Sequence, residues 1–180
     1  MHHAAVLFFI AVIGLGTIGA RAAASSAEEV QAIEWRNLVP PGYNPTELIT
    51  KYRRDVADLK DDDPRALQLA EALRKAWEGA PVVESLANTM VKLSGFLVSL
   101  EGDGTAVSEF LLVPFFGACI HVPPPPSNQI VLVRTGTPFT RGRMFQRVSV
   151  TGRLRTEKAS HQLASAAYVI EAARVEPHVP

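Results

Sequence analysis

The residues best suited to chemistry stand two positions apart in the middle of the chain. Cys119 is the only cysteine among the 180 residues, and His121 follows it in the run GACIHV. In an extended segment, side chains two positions apart point to the same face, so the thiol and the imidazole are expected to lie side by side. Thiolate and imidazole are ligands that zinc and copper accept, and an imidazole beside a thiol also activates it as a nucleophile.

Three interpretations of this pair stay open from the residues alone. A zinc or copper site needs more ligands, and Glu109 and His161 are the candidates, followed by Asp103 and His178, although none stands at a diagnostic spacing. A thiol-dependent enzyme or redox protein would use Cys119 and His121 as catalytic residues, without a second cysteine to resolve an oxidised state. Alternatively, the cysteine is a small buried side chain and the histidine bonds a backbone carbonyl.

A run of four prolines begins two residues after the histidine. Proline fixes its φ angle and lacks a backbone N–H, so the run predicts a stiff extended loop that cannot lie inside a sheet. Apolar stretches at residues 110–113 and 130–133 have the length and composition of buried strands that would hold this loop. Extended proline segments are ligands for aromatic grooves, so the loop is a candidate surface for a protein partner. Its predicted contact residues are Pro123, Pro124, Pro125, Pro126, Asn128 and Gln129.

The N-terminus has the layout of a secretory signal peptide. Residues 4–19 are almost wholly apolar, and small residues follow, with an Ala-x-Ala site after Ala22 or Ala24. We therefore expect an exported, periplasmic protein, and the alternative is an uncleaved N-terminal helix that anchors the chain in a membrane. The formal net charge is zero, which argues against a nucleic-acid partner.

Residues 44–80 predict a helical hairpin. Asn44 is a typical N-cap and Pro45 suits the first helical position, and Asp63 and Pro64 repeat the arrangement at the second helix. One apolar stripe on each helix is expected to pack inward. The first stripe is Leu48, Tyr52, Val56 and Leu59, and the second is Leu67, Ala70, Leu73 and Trp77.

From residue 82 the pattern changes from helical to extended. Five strands are predicted, over residues 90–100, 106–113, 130–134, 148–156 and 167–175, with bends at Gly95 and Gly152 and a connection rich in Gly, Arg and Thr at 135–147. A curved five-stranded antiparallel sheet of this kind favours a small OB-like β-barrel. The fold class is therefore α+β, a helical hairpin packed on an OB-like barrel.

The predicted organisation is one structural domain over residues 25–180. A signal peptide at 1–24 precedes an N-terminal arm at 25–43, the helical hairpin at 44–80 and the β-barrel at 81–180. After removal of the signal, such a chain is long enough to bury a core without disulfides.

The central segment resembles a family of bacterial exported proteins of unknown function. The match is residues 109–129, EFLLVPFFGACIHVPPPPSNQ, against a family motif of the form eFLLVPyfGACIHvPPPPpNQ. A strand like GFLVSL at 95–100 and an arm with Trp35 accompany it, so the resemblance covers about residues 35–175. This chain departs from the motif at Ser99 and Ser127, where the family more often has proline.

The resemblance implies a transport context. Members look like components encoded beside macrolide-export-type ABC transporters, in some cases linked to zinc supply. The expected function is therefore a non-enzymatic periplasmic accessory or binding protein of an ABC-type system, with zinc at Cys119 and His121 as a candidate cofactor and ABC transporter components as partners. The alternatives are the thiol-dependent enzyme and a purely structural interaction module that uses the loop at 123–126.

Overall fold

The computed structural model describes residues 28–60, 63–100, 105–118, 125–140, 142 and 145–178. This part of the chain forms an arm, two helices and eight strands. The helices are α1 (Pro45–Val56) and α2 (Pro64–Glu78). The strands are β1 (Gln31–Ala32), β2 (Met90–Ser99), β3 (Ala106–Val113), β4 (Val131–Thr140), β5 (Arg147–Arg155), β6 (Ala159–Ser160), β7 (Ser165–Ala166) and β8 (Tyr168–Pro177). The predicted signal peptide lies outside the described residues.

Five of the strands close into a barrel. Their order is β2, β3, β4, β8, β5 and back to β2, so every one of the five has a neighbour on both sides. This confirms the predicted helical hairpin and OB-like barrel. The barrel is mixed rather than wholly antiparallel, because β4 and β8 pair in parallel, with Val131 opposite Tyr168.

The barrel has an apolar interior and a second apolar layer outside. Alternating residues of each strand point inward and are buried, among them Leu93, Phe110, Val133, Val150 and Ile170. This alternation is the period of two that the sequence shows. The outer cluster contains Val98, Leu111, Leu132, Val169, Ala118 and Ala166. The residues on both sides of β3 and β4 are therefore covered, which explains why these strands read as continuous apolar runs.

Strand β4 is longer than the sequence predicts. It continues through residues 135–140, which were expected to belong to a connection. Residues 135–138 lie opposite Ser108 where the register with β3 shifts, and pairing resumes at Phe139. Pro138, which cannot donate a ladder hydrogen bond, therefore lies within an irregular section of the strand.

The two predicted bends differ in structure. Gly152 lies at a register shift between β5 and β8, as expected for a bulge. Gly95 lies in a regular part of β2, where a Cβ atom would come within 2.8 Å of both the Trp35 ring and the Val113 carbonyl oxygen. Its small size therefore lets the arm approach the barrel wall closely.

The N-caps of both helices are the predicted residues, whereas the half-buried stripe of α2 differs from the prediction. The Asn44 side chain accepts hydrogen bonds from two backbone N–H groups of α1, and the Asp63 side chain accepts one from the Arg65 N–H of α2. On α2, Leu67 is 62% exposed, so it faces solvent instead of the core. The half-buried face is Leu69, Leu73 and Trp77, a spacing of four residues. Within the described residues, no helix has the length and apolar character that a membrane crossing requires.

The arm is fastened to the barrel by specific hydrogen bonds. Strand β1 pairs in parallel with the start of β2, and the Trp35 indole Nε1 donates to the Ser94 carbonyl oxygen at 2.8 Å. The fully buried Tyr168 hydroxyl donates to the Leu38 carbonyl oxygen at 2.9 Å and accepts from the Val83 backbone N–H at 2.6 Å. One hydroxyl thus joins the arm, the segment after α2 and strand β8.

Candidate functional site

The centre of the predicted site lies outside the described residues. This holds for Cys119, His121, Pro123 and Pro124, and also for Asp103. The residues at either end of this gap are placed firmly in the protein. Ala118 is buried in the outer cluster, whereas Pro125 is half-buried and Pro126 is buried.

The two candidate ligands that the sequence pairs with the cysteine do come together. Glu109 and His161 line the same small cleft of about 170 Å³, beside Glu157 and Arg134. The Glu109 carboxylate lies 3.4 Å from the Arg134 guanidinium, and His161 Nδ1 accepts a hydrogen bond from the Leu163 backbone N–H at 3.3 Å. Among the described residues, no three His, Cys, Asp or Glu side chains form a group suited to a metal ion.

The last candidate ligand takes part in a chain of hydroxyl groups on the barrel wall. His178 Nδ1 lies 3.1 Å from the Ser149 hydroxyl, which lies 2.8 Å from the Ser94 hydroxyl. These bonds tie the end of β8 to β5 and β2. His178 is therefore a structural link between strands, far along the chain from the cysteine.

The turn after the prolines is built into the interior. The Asn128 side chain is 0% exposed and its Nδ2 donates to the Pro81 carbonyl oxygen at 2.9 Å. The Gln129 Nε2 donates to the Trp35 carbonyl oxygen at 2.9 Å, and the buried Ser127 hydroxyl donates to the Glu78 carbonyl oxygen at 3.1 Å. Both amides therefore bind carbonyl groups of this chain, and the turn fastens the end of α2 to the barrel.

An apolar cleft opens where the helical hairpin meets this turn. We call it the hairpin cleft, and it encloses about 490 Å³. Its lining residues are Pro45, Thr46, Ile49, Tyr52, Arg53, Leu73, Trp77, Phe115, Pro125 and Pro126. The helix geometry explains the walls, because residues four apart on one helix share a face. Pro45, Ile49 and Arg53 form the wall from α1, and Leu73 and Trp77 form the wall from α2.

The hairpin leaves this cleft open because neither helix is buried against the barrel. Neither α1 nor α2 contains a buried residue, and the cleft residues Ile49, Leu73 and Trp77 are half-buried. Phe115, which lies two residues after the end of β3, also lines the cleft and is 46% exposed. Apolar side chains left partly open in this manner are typical of a binding surface.

Among the described residues that line the cleft, Arg53 alone is charged. Within the described part of the chain its guanidinium has no ion pair or hydrogen bond. The neighbouring cations are paired, since Lys51 and Arg54 both contact the Asp55 carboxylate, at 2.6 and 3.7 Å. Hydrogen bonding to Lys51, the largest effect, lowers the pKa of Asp55. The cleft therefore presents one unpaired positive charge beside an apolar surface.

Helix α2 likewise carries a paired cation, Arg74, and a polar group without a partner in the described part of the chain, the Trp77 indole N–H. Arg74 bonds both Glu71, at 2.6 Å, and Glu78. Hydrogen bonding to Arg74 lowers the pKa of the Glu71 carboxyl to about 2. By contrast, the indole Nε1 of Trp77, which lines the cleft, is buried and has no hydrogen-bond partner among the described residues. An unmade hydrogen bond of this kind is costly and uncommon in proteins.

The lining of the hairpin cleft suits binding rather than catalysis. Its described side chains are aliphatic, aromatic or proline, with Arg53 and two hydroxyl groups from Thr46 and Tyr52 as the polar members. The sequence prediction missed this cleft apart from Pro125 and Pro126, because its walls come from segments as distant in sequence as Pro45 and Pro126. The one available signal was the apolar spacing of four at Pro45, Ile49 and Leu73, Trp77.

Comparison with known proteins identifies a family whose function is not established. A family model described as "Protein of unknown function (DUF3299)" matches residues 35–177. The crystal structure of a DUF3299 family protein from Pseudomonas aeruginosa PAO1 shares 39% sequence identity with a TM-score of 0.63, and the alignment covers 84% of this chain and 98% of that one. A small single-stranded DNA-binding protein from Streptomyces coelicolor aligns with 51% of this chain and 95% of its own, at 14% identity and a TM-score of 0.30. No curated protein matches the chain.

Proposed function

The chain belongs to the DUF3299 family, and we propose that it is an exported, non-enzymatic binding protein that serves as an accessory to an ABC-type transport system. The observation that carries the binding role is the hairpin cleft, an apolar depression of about 490 Å³ with one unpaired cation. Clefts of this size and polarity are the usual form of ligand sites. The exported location and the transporter context rest on the signal-like N-terminus and on the family resemblance of the central motif.

In this proposal, the proline segment marks the side of the protein that meets its partner. Pro125 and Pro126 line the cleft, and Phe115 lies at its edge, so the segment that carries Cys119 and His121 begins and ends beside the binding surface. A partner that docks here would contact the proline loop and cover the cleft. Ligand binding and partner contact would then be coupled through shared residues.

A cross-linking experiment in cells tests the partner contact. A photo-reactive amino acid replaces Phe115, and a matched probe replaces Leu67, which is also exposed but lies on the outer side of α2. We expect the probe at 115 to cross-link to a subunit of an ABC-type transporter, and the probe at 67 to give no such product. Equal cross-linking from both positions, or none from 115 while the transporter is present, contradicts the proposal.

We further propose that Cys119 and His121 hold a zinc ion, with Glu109 and His161 as the candidates for completing the site. Their shared cleft supports this choice, although the Arg134 ion pair would have to yield Glu109. The test is the metal content of the purified chain by mass spectrometry after zinc exposure. Close to one zinc per chain in the wild type, lost in both Cys119→Ser and His121→Ala, supports the site. Retention of zinc by both variants refutes it.

A further inference from the structure

We infer that the hairpin cleft binds a small amphipathic anion, a ligand with an apolar body and a carboxylate head. This inference rests on the proposed binding role and adds the chemical class of the ligand. Three properties of the described residues lead to it: the size of the cleft, the character of its walls and the unpaired charge of Arg53.

The size favours a small molecule over a protein segment. The cleft encloses about 490 Å³, within the range of roughly 300–1,000 Å³ typical of small-ligand sites. A stable protein interface buries about 800 Å² on each partner, which is far more surface than ten lining residues provide. The cleft alone is therefore a site for a ligand, whereas partner contact would need the loop as well.

The walls favour an elongated apolar body. The lining combines the aliphatic side chains of Ile49 and Leu73 with the rings of Tyr52, Trp77 and Phe115, and prolines complete it. Such walls offer dispersion contacts and displaced water but few hydrogen bonds. An acyl or alkyl chain fits this character, whereas a sugar or nucleotide would leave its polar groups unsatisfied.

The charge selects the head group. Arg53 stands two turns along α1 from Pro45, on the same face, so it lies at one end of the apolar wall. Its planar guanidinium binds a carboxylate through two parallel hydrogen bonds. Because the adjacent cations Lys51 and Arg54 are satisfied by Asp55, Arg53 is the group left free to pair with a ligand.

The test compares three probes that share one chain length. Decanoate, decanol and decylammonium are titrated into the full chain by calorimetry, with the two ions below their micelle-forming concentrations and decanol below its solubility limit. We expect decanoate to bind about threefold to tenfold more tightly than decanol, and decylammonium to bind most weakly, because a charge-assisted pair with Arg53 favours only the carboxylate. Raising the salt concentration should reduce the difference in affinity between decanoate and decanol, since the site is open to solvent and salt screens the Arg53 charge.

Matched variants locate the site. Arg53→Gln removes the positive charge while keeping a polar side chain, so it should remove the preference for decanoate, whereas Arg54→Gln, whose parent residue already contacts Asp55, should keep it. Phe115→Ser changes an exposed residue, so it should fold normally and weaken all three probes. Leu67→Ser, a change at a similarly exposed residue away from the cleft, should have no effect.

Several outcomes would overturn the inference. Equal binding of decanoate and decylammonium would show that Arg53 does not select the head group. Unchanged binding in Phe115→Ser would show that the probes bind outside the hairpin cleft. Binding only to phosphatidylglycerol vesicles, without binding of free decanoate, indicates a membrane surface instead of a small ligand. If no probe binds while position 115 still cross-links to the transporter, the ligand class is wrong and the accessory role stands. If decanoate binds and the cross-link is absent, the ligand class stands and the accessory role is wrong.

Discussion

The hydroxyl of Tyr168 offers the sharpest test of how the hairpin and arm are held on the barrel. Tyr168 is fully buried and its hydroxyl makes two hydrogen bonds, to the Leu38 carbonyl oxygen and from the Val83 N–H. Tyr168→Phe removes both bonds and leaves two backbone groups without their partner. A lost hydrogen bond between neutral groups costs about 1 kcal/mol, and a buried group left unsatisfied costs about 1–3 kcal/mol, so we expect a loss of about 2–4 kcal/mol.

Urea unfolding measures this loss. With a slope of about 2 kcal/mol per molar urea, the midpoint of unfolding should fall by about 1–2 M, with the slope itself unchanged. Tyr43→Phe is the matched control, because the Tyr43 hydroxyl is buried without a hydrogen-bond partner among the described residues. Removing that hydroxyl should change stability by less than about 0.5 kcal/mol or increase it. Equal effects of the two substitutions would refute the assignment of Tyr168 as the joint.

Further predictions concern pH and the barrel wall. Burial raises the pKa of the Tyr43 and Tyr168 hydroxyls, so the folded chain keeps protons that the unfolded chain releases. Stability should therefore fall as the pH rises above about 10, less steeply in Tyr168→Phe, and unfolding followed from pH 8 to 11 checks this. Gly152→Ala would place a Cβ 2.3 Å from the Glu171 carbonyl oxygen, so it should destabilise the barrel by at least about 3 kcal/mol. Gly136→Ala meets nothing within 4 Å and should cost less than about 0.5 kcal/mol; similar melting temperatures for both would contradict this.

Local patterns were sufficient to predict most of the secondary structure. The caps at Asn44 and Asp63 act through bonds to their own helix, and the alternation in β2 and β5 reflects burial of every second residue. The parallel seam between β4 and β8 was not predictable, because the direction of pairing depends on strands more than 30 residues apart. The Gly, Arg and Thr content of residues 135–147 predicted a connection there, whereas β4 continues to Thr140 across a register shift that the sequence does not reveal.

The candidate site was predicted less well than the fold. Glu109 and His161 do share a cleft, but Asn128, expected at a partner surface, is buried with its amide bonded to Pro81. The presence of Asn in a sequence does not show whether its amide faces water or bonds a buried backbone carbonyl. The hairpin cleft depends on the separation of the helices from the barrel, a tertiary property that helical periodicity does not encode.

The two tryptophans make the central claim directly measurable. Their indole N–H groups give two separate signals in a ¹⁵N-labelled sample, and the chain contains no other tryptophan. Trp77 lines the hairpin cleft, whereas Trp35 is bonded to Ser94 on the barrel wall. We predict that decanoate shifts the Trp77 indole signal in a saturable manner and leaves the Trp35 signal in place. A shift of Trp35 alone, or two static signals under conditions in which calorimetry detects binding, would contradict a ligand site in the hairpin cleft.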